Sequence, residues 1–323
     1  MQSIKNLNLK NKRVLLRMDF NGLWRIKASL KTINFLLRKG AKVIVIGHYG
    51  RPKKQEKKYS LMQFKKYLPV GSRHAVSLLE NLRFDPREEA NNLSFSKELA
   101  QKANIFVQDA FSVCHRQHAS VVGIPKYLPS YAGFSLEREI KALNKKFTKP
   151  ICYIIGGAKV ETKLPLAKLI LEKCDHLILG GLIANIVLEN HQIELTSTKL
   201  HLPVDAVTKT KVCAVGAISP REILDIGPDT IKLFSSVINV AKTIIWNGPM
   251  GKFEEEKYQN GTFEIAKAIA NSKAYSVIGG GETIFALEKL NLLDKIDHIS
   301  TGGGALLEYL AKGSLPGIEA LKK

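Results

Sequence analysis

The chain has 323 residues, 45% of them hydrophobic, more than a single ordinary core serves, so two domains are expected. No apolar run approaches the roughly eighteen residues of a membrane span, and the opening MQSIKNLNLKNKR carries no apolar signal segment, so a cytoplasmic location is expected. The net charge of +20 is confined to the first half: residues 1–150 hold 30 Lys+Arg against 10 Asp+Glu, residues 151–323 hold 19 of each. That asymmetry points the first half at something anionic, whether a phosphorylated metabolite, a nucleic acid or a membrane surface, although a solvated basic face explains lysines such as those of RPKKQEKK equally well.

In chain order, RVLLRM (13–18), KVIVIG (42–47), NIFVQDA (104–110), ICYIIGG (151–157), HLILGG (176–181), KVCAVG (211–216), TIIWNG (243–248) and AYSVIGG (274–280) read as short buried strands. Helical periodicity fills several gaps, as in IKASLKTINFLLRKG with its closing Gly40, and TFEIAKAIANS at 262–272. Strand and helix in alternation predict an α/β fold with mostly parallel sheets and right-handed crossovers. The charged stretch SLEREIKALNKKF (135–147) reads as a connecting helix able to act as a hinge, and the charge balance changes just after it, so domains 1–147 and 148–311 are expected. The four cysteines form no C-x-x-C pair and are expected to be buried thiols, not disulfides or zinc ligands.

The second half repeats one device. IIGGAK, ILGGLIAN, IIWNGPMG and VIGGGET each end a strand in glycine, with ISTGGGA (299–305) as a fifth. At strand ends of open α/β sheets, glycines admit a ligand to the backbone and helix N-termini offer free N–H groups to anions, so five such ends suggest a nucleotide site. Some of these glycines serve only tight turns. Neither G-x-x-x-x-G-K-[ST] nor G-x-G-x-x-G is present, which disfavours a Walker loop and a dinucleotide site. Lys159 and Lys163 of GGAKVETK stand at i and i+4 and are expected on one face of the first helical turns, against the macrodipole, which favours a bound phosphate over a solvated face.

In the first half, Arg17 and Asp19, Arg25, His48 and Arg51, Arg83, and His115, Arg116 and His118 all fall at or just past strand ends. Arginines converging there would make an oxyanion pocket. His115 and His118 are three apart, but the intervening Arg116 and the lack of a neighbouring acid argue against metal ligation.

Together these stretches resemble phosphoglycerate kinases: RMDFN, RIKASL, GHYGRP, LENLRF, DAFSVCHRQHAS, GGAKVETK, GGLIAN, LPVD, DIGP, WNGPMGKFE, GGGET, STGGGA and LPGIEAL occur in the family's order across nearly the whole chain. The resemblance implies two Rossmann-like αβα domains separated by a cleft and joined by a hinge helix, with a C-terminal segment (about 312–323) that returns to the N-terminal domain. It implies reversible phosphoryl transfer between 1,3-bisphosphoglycerate and ADP, with Mg2+, by a monomer. By resemblance the three-carbon acid is held by Asp19, Phe20, Asn21, Arg25, His48, Tyr49, Gly50, Arg51, Arg83 and Arg116. The nucleotide is held by Gly157, Ala158, Lys159, Lys163, Gly181, Asn247, Gly248, Pro249, Glu254, Gly280, Gly281, Glu282 and Thr283. Arg25 and Lys159 are the implied catalytic pair, Glu254 the ribose contact and Glu282 the magnesium contact.

The chain also departs from that pattern. Only Gly22, Leu23 and Trp24 stand between DFN and RIK, and the stretch from GRP to LENLRF is contracted. Ser112 replaces a glycine, Thr162 an acid and Glu282 an aspartate, one methylene longer for a metal that demands near-ideal octahedral geometry. A catalytically weak paralogue acting as a basic nucleic-acid-binding or scaffold protein is the alternative, and the +20 charge is its best support.

Overall fold

The computed structural model describes residues 1–69, 75–190, 195 and 197–322; the chain divides into two compact units, Met1–Asn144 with Ser314–Lys323, and Lys145–Gly313.

In the first unit β1 (Arg13–Arg17) leads into α1 (Leu23–Arg38), whose buried Ile26, Ser29, Ile33 and Leu36 recur at helical spacing, and Gly40 closes it at φ +78°. Then follow β2 (Lys42–Ile46), β3 (Val76–Leu78), α2 (Pro86–Glu89), α3 (Leu93–Ala100), β4 (Ile105–Gln108), β5 (Ser130–Ala132) and α4 (Phe134–Leu143). The sheet is parallel throughout in the order β3-β2-β1-β4-β5, so the chain reverses direction at β1. With right-handed crossovers, that reversal sends helices to both faces and opens a ligand crevice at the carboxyl ends of β1 and β4. Both faces being covered, β1 and β4 read as continuous apolar runs.

The second unit contains β6 (Ile151–Ile155), α5 (Val160–Leu171), β7 (His176–Leu179), α6 (Gly181–Glu189), β8 (Leu200–His201), β9 (Asp205–Val207), β10 (Val212–Ala214), β11 (Asp225–Ile226), α7 (Pro228–Val240), β12 (Thr243–Asn247), α8 (Asn260–Asn271), β13 (Tyr275–Gly279), α9 (Gly281–Lys289), β14 (His298–Ser300) and α10 (Gly304–Lys312). Its main sheet, β14-β13-β12-β6-β7-β8, is also parallel and reverses between β12 and β6. The fully buried Trp246 of β12 packs in a core with Ile154, Phe234, Ile265 and Leu287. A last turn, α11 (Pro316–Glu319), belongs to the first unit, where the Gly317 N–H donates to Cys114 O at 2.8 Å. A Cβ on Gly317 would lie 2.9 Å from Cys114 Cα and 2.7 Å from Val121 Cγ1, so only glycine permits this approach. Lys323, the end of the C-terminal stretch, lies outside the described residues.

Two elements differ from expectation. KVCAVG is not a buried strand of the main sheet: β10 pairs antiparallel with β9 at the edge of a small three-stranded sheet, and Val212 is 53% exposed. A short apolar run does not by itself specify which sheet it joins. The helix expected over 135–147 ends at Leu143; beyond it Phe147 packs on Tyr275 and the Lys145 ammonium lies 3.8 Å from that ring, which draws the chain out of helical register. Among the described residues no helix is long and apolar enough to cross a membrane.

Candidate active site

At the crevice of the first unit, both oxygens of the Asp19 carboxylate hold donors. Its Oδ1 accepts from the Asn21 backbone N–H (2.8 Å) and side-chain amide (2.9 Å); its Oδ2 accepts from Arg25 (2.8 Å) and from the Ser112 hydroxyl. Burial works against this carboxylate, but Arg25, His48, Ser112 and the Asn21 N–H outweigh it and hold Asp19 below the usual carboxylate range. Arg25 sits in the first turn of α1 immediately after the shortened loop, its guanidinium 4.9 Å from the Trp24 ring. Ser112, flagged in the sequence only as an exchange for glycine, therefore acts on the same carboxylate oxygen as Arg25.

His48, at the end of β2, is buried beside Arg17, and burial followed by Arg17 drives its pKa well below the ordinary value, with Asp19 opposing. Arg17 is fully buried and donates to Met18 O (2.8 Å) and Ser120 Oγ (3.0 Å). Ser120 in turn donates its hydroxyl (2.5 Å) and backbone N–H (3.0 Å) to Glu88, a buried carboxylate whose pKa is raised by burial. Glu88 and Ser120 escaped sequence reasoning, because the Arg17–Ser120 hydrogen bond joins residues 103 apart and follows no local pattern. His118 lies 3.8 Å from Glu88 and is pushed down to about 3, first by burial and then by Arg116, Arg17 and Arg83, so it serves this buried network as a neutral ring.

Arg83 donates to Gly50 O (2.6 Å) and pairs with Glu89 (2.7 Å). Burial first lowers both Arg83 and Arg116, Glu89 opposes in both, and neighbouring cations lower them further: Arg116, Arg17 and Arg51 act on Arg83, and Arg51 acts on Arg116. Mutual repulsion of this kind marks convergence of the guanidiniums. Gly50 adopts φ +64° and donates its N–H to Asn21 Oδ1 at 2.8 Å. Two expected contacts do not offer side chains here. Phe20 is fully buried against Phe64, and the Tyr49 ring packs on Tyr59 and Phe64, so both face the core and only their backbones border the crevice.

In the second unit the glycine ends of β6, β7, β12 and β13 pack backbone to backbone. Gly248 has φ +101°, and a Cβ there would meet Gly156 O at 2.2 Å. Asn247 Nδ2 ties Gly279 O (2.9 Å) to Gly303 O (3.1 Å), Gly181 N donates to Met250 O (2.8 Å), and the Thr283 hydroxyl turns back on Gly279 O (2.7 Å). Pro249 is buried in this floor, while Gly157 and Gly280 are partly open and Ala158, Lys159, Glu254, Gly281 and Glu282 are exposed around it.

The two lysines do not share a helix face. Lys159 is the N-cap of α5 with non-helical φ −87° and ψ 67°, and only Lys163 lies inside the helix. The Lys163 ammonium folds back to Gly156 O (2.6 Å) and Asn247 O (3.3 Å), and burial pushes it down to about 8. Spacing alone could not show that the first cation stands one residue before the helix begins. Glu282 is the second residue of α9 and raises Lys163 through its charge. Among the described residues no group of three or more acidic, His or Cys side chains forms a metal cage. A single exposed carboxylate beside glycine N–H groups nevertheless fits Mg2+, which is commonly held by one or two carboxylates plus substrate phosphates.

Comparison with known proteins converges on one family. A protein-family model described as phosphoglycerate kinase matches residues 4–72, 70–198 and 191–313. Phosphoglycerate kinases of Leptospira biflexa and Herpetosiphon aurantiacus are each 39% identical, over 98% and 99% of this chain and 97% and 98% of their own lengths. Those alignments run over 385 and 388 positions against 323 residues here, so the relatives carry chain that this protein lacks. Solved phosphoglycerate kinase structures from Coxiella burnetii (35% identity, TM-score 0.82, 99% of this chain and 98% of that one) and Pyrococcus horikoshii (31%, 0.86, 100% and 98%) share the fold. The nucleic-acid-binding or scaffold alternative is not favoured by any of these matches. The chain belongs to the phosphoglycerate kinase family, phosphotransferases with a carboxyl acceptor that move a phosphoryl group reversibly between 1,3-bisphosphoglycerate and ADP.

Proposed function

We propose that the first unit holds the three-carbon acid and the second the nucleotide. The observation that carries this division is the convergence of half-buried Arg83 and Arg116 with Arg51 beside His48 and Asp19, a cationic crevice in which mutual repulsion is relieved by a polyanion. Asp19 and Asn21 receive the glycerate hydroxyl and carboxylate end, and His48, Arg51, Arg83 and Arg116 receive the anionic oxygens, with Phe20, Tyr49 and Gly50 contributing backbone. In the second unit Gly157, Ala158, Lys159, Lys163, Gly280, Gly281 and Thr283 border the phosphates. Gly181, Asn247, Gly248 and Pro249 form the floor, and Glu254 meets the ribose.

Phosphoryl transfer through a loose transition state asks for positioning and charge stabilisation, with no protein nucleophile. Arg25 and Lys159 are assigned to the transferred group. Arg25 is held by Asp19 and Trp24, and Lys159 is exposed at the N-terminus of α5, where backbone N–H groups add to its field. Glu282 would hold Mg2+, which, when bound, neutralises the charge of the nucleotide phosphates. The protein acts in this reading as a cytoplasmic monomer on small molecules, without a nucleic-acid partner.

Calorimetric titration tests the division. Arg116→Ala should weaken 3-phosphoglycerate about 10- to 100-fold, the equivalent of one charged hydrogen bond, and leave MgADP unchanged. Unchanged 3-phosphoglycerate affinity, or equal weakening of both ligands, would overturn it.

A further inference from the structure

Both ring nitrogens of His48 face a donor. Arg17 Nη2 lies 3.1 Å from Nδ1, and Asn21 Nδ2 lies 3.3 Å from Nε2. A guanidinium never accepts, and the Asn21 amide cannot be turned round because its Oδ1 already accepts the Gly50 N–H at 2.8 Å. An imidazolium would aim its Nδ1–H at the Arg17 N–H groups, whereas a ring accepting at both nitrogens would be an anion. A neutral ring can therefore accept from one of the two only.

Arg17 is the one. It is fully buried and permanently charged, whereas Asn21 Nδ2 has other acceptors in Asp19 Oδ1 (2.9 Å) and His48 O (3.3 Å). Arg17 is also braced on its far side, where its Nε donates to Ser120 Oγ and Ser120 to Glu88. We infer that Arg17 is a positioning residue that fixes His48 as the neutral Nε2–H tautomer, so that Nε2–H stands as an uncharged donor to an oxygen of the bound acid. This rests on the reading of the crevice as the 3-phosphoglycerate site. The charged groups facing the ring agree with it: Arg17, Arg83 and Arg116 disfavour a second proton and only Asp19 favours one. Affinity for the acid consequently draws nothing from protonation of His48 as pH falls through the range where a free histidine titrates.

Long-range proton–nitrogen spectra of the 15N-labelled full chain read the tautomer directly, with His48 assigned by the loss of its signals in His48→Gln. Between about pH 5.5 and 8.5, Nε2 should keep a protonated-type shift and Nδ1 an unprotonated-type shift. A ring that titrates near the ordinary histidine value, or that carries its proton on Nδ1, overturns the inference. Addition of 3-phosphoglycerate should then move Nε2 and leave Nδ1 in place. If the tautomer is as stated but Nε2 does not respond, the donor role and the reading of this crevice fail while the tautomer stands. Arg17→Lys keeps the buried charge and removes the planar fork. In that variant the preference for Nε2–H should weaken, with the Nδ1 shift moving towards the protonated type, and KM for 3-phosphoglycerate should rise about tenfold, with kcat much less affected; an unaltered His48 spectrum and KM would overturn the positioning role, and the wild-type spectra decide the tautomer should this variant fail to fold.

Discussion

Lys163 carries an ammonium group into the glycine-lined floor of the second unit, and Lys163→Met removes it while keeping most of the apolar stem. The folded pKa of about 8 against an ordinary 10.5 means that the charged form is disfavoured on folding by about 3 kcal/mol at pH 7. The substitution lifts that penalty but leaves Gly156 O without the ammonium, at about 1–2 kcal/mol, whereas Asn247 O keeps the Gly156 N–H at 3.0 Å. The net expectation is a variant about 1–2 kcal/mol more stable than wild type at pH 7, seen by urea unfolding as a raised midpoint with an unchanged slope. The sign with pH follows from the depressed lysine: its penalty is fully present below about pH 8 and fades as the pH rises towards 10.5, so the gap between variant and wild type should close over that window. Function should move the other way, with MgADP weakened about 10- to 100-fold through loss of a charged contact to phosphate. A variant less stable than wild type at pH 7, or one that binds MgADP normally, would refute the reasoning.

Three further perturbations separate the elements of the account. Ser112→Gly removes a donor from the Asp19 oxygen that also holds Arg25, so Asp19 rises towards its ordinary value, the stability its ionised form supplies is lost at higher pH, and acid unfolding monitored by circular dichroism begins earlier, with a cost of about 1 kcal/mol at neutral pH. Glu282→Asp shortens the proposed metal contact and should lower half-saturating Mg2+ about fivefold in the turnover assay; no change argues against Glu282 as a ligand. Gly317→Val forces a branched side chain against Cys114 and Val121, behind the segment that carries Ser112 and Arg116. It should destabilise the protein by about 1–3 kcal/mol in urea and weaken 3-phosphoglycerate while sparing MgADP in calorimetry.

What was legible in the sequence is what local physics writes there. Buried parallel strands ending in glycine announced themselves through apolar runs and bare backbones, and two of them, β6 and β12, flank the point where the second unit's sheet reverses. Clustered arginines at strand ends suggested an anion, and Arg17, Arg51 and Arg116 all act on Arg83 in the fold. What stayed hidden depended on pairing across the chain. Nothing around Ser120 or Glu88 hints that they brace an arginine in β1, and Lys159 and Lys163 look like neighbours on a helix until the N-cap geometry separates them. Phe20 and Tyr49 sit inside motifs that carry the family resemblance yet point their rings into an aromatic cluster, since a motif fixes backbone position and not the direction of each side chain. The short strands β9, β10 and β11 follow the same rule, because two- or three-residue strands acquire their identity from partners distant in sequence.

Steady-state formation of ATP from 1,3-bisphosphoglycerate and ADP with Mg2+, by wild type and by Lys159→Ala, tests the central claim most directly. Wild type should turn over, and the variant should show a kcat lower by about 100-fold or more with its thermal midpoint unchanged, because the exposed Lys159 stabilises little. Absence of turnover by wild type, or near-normal kcat in Lys159→Ala, would contradict it.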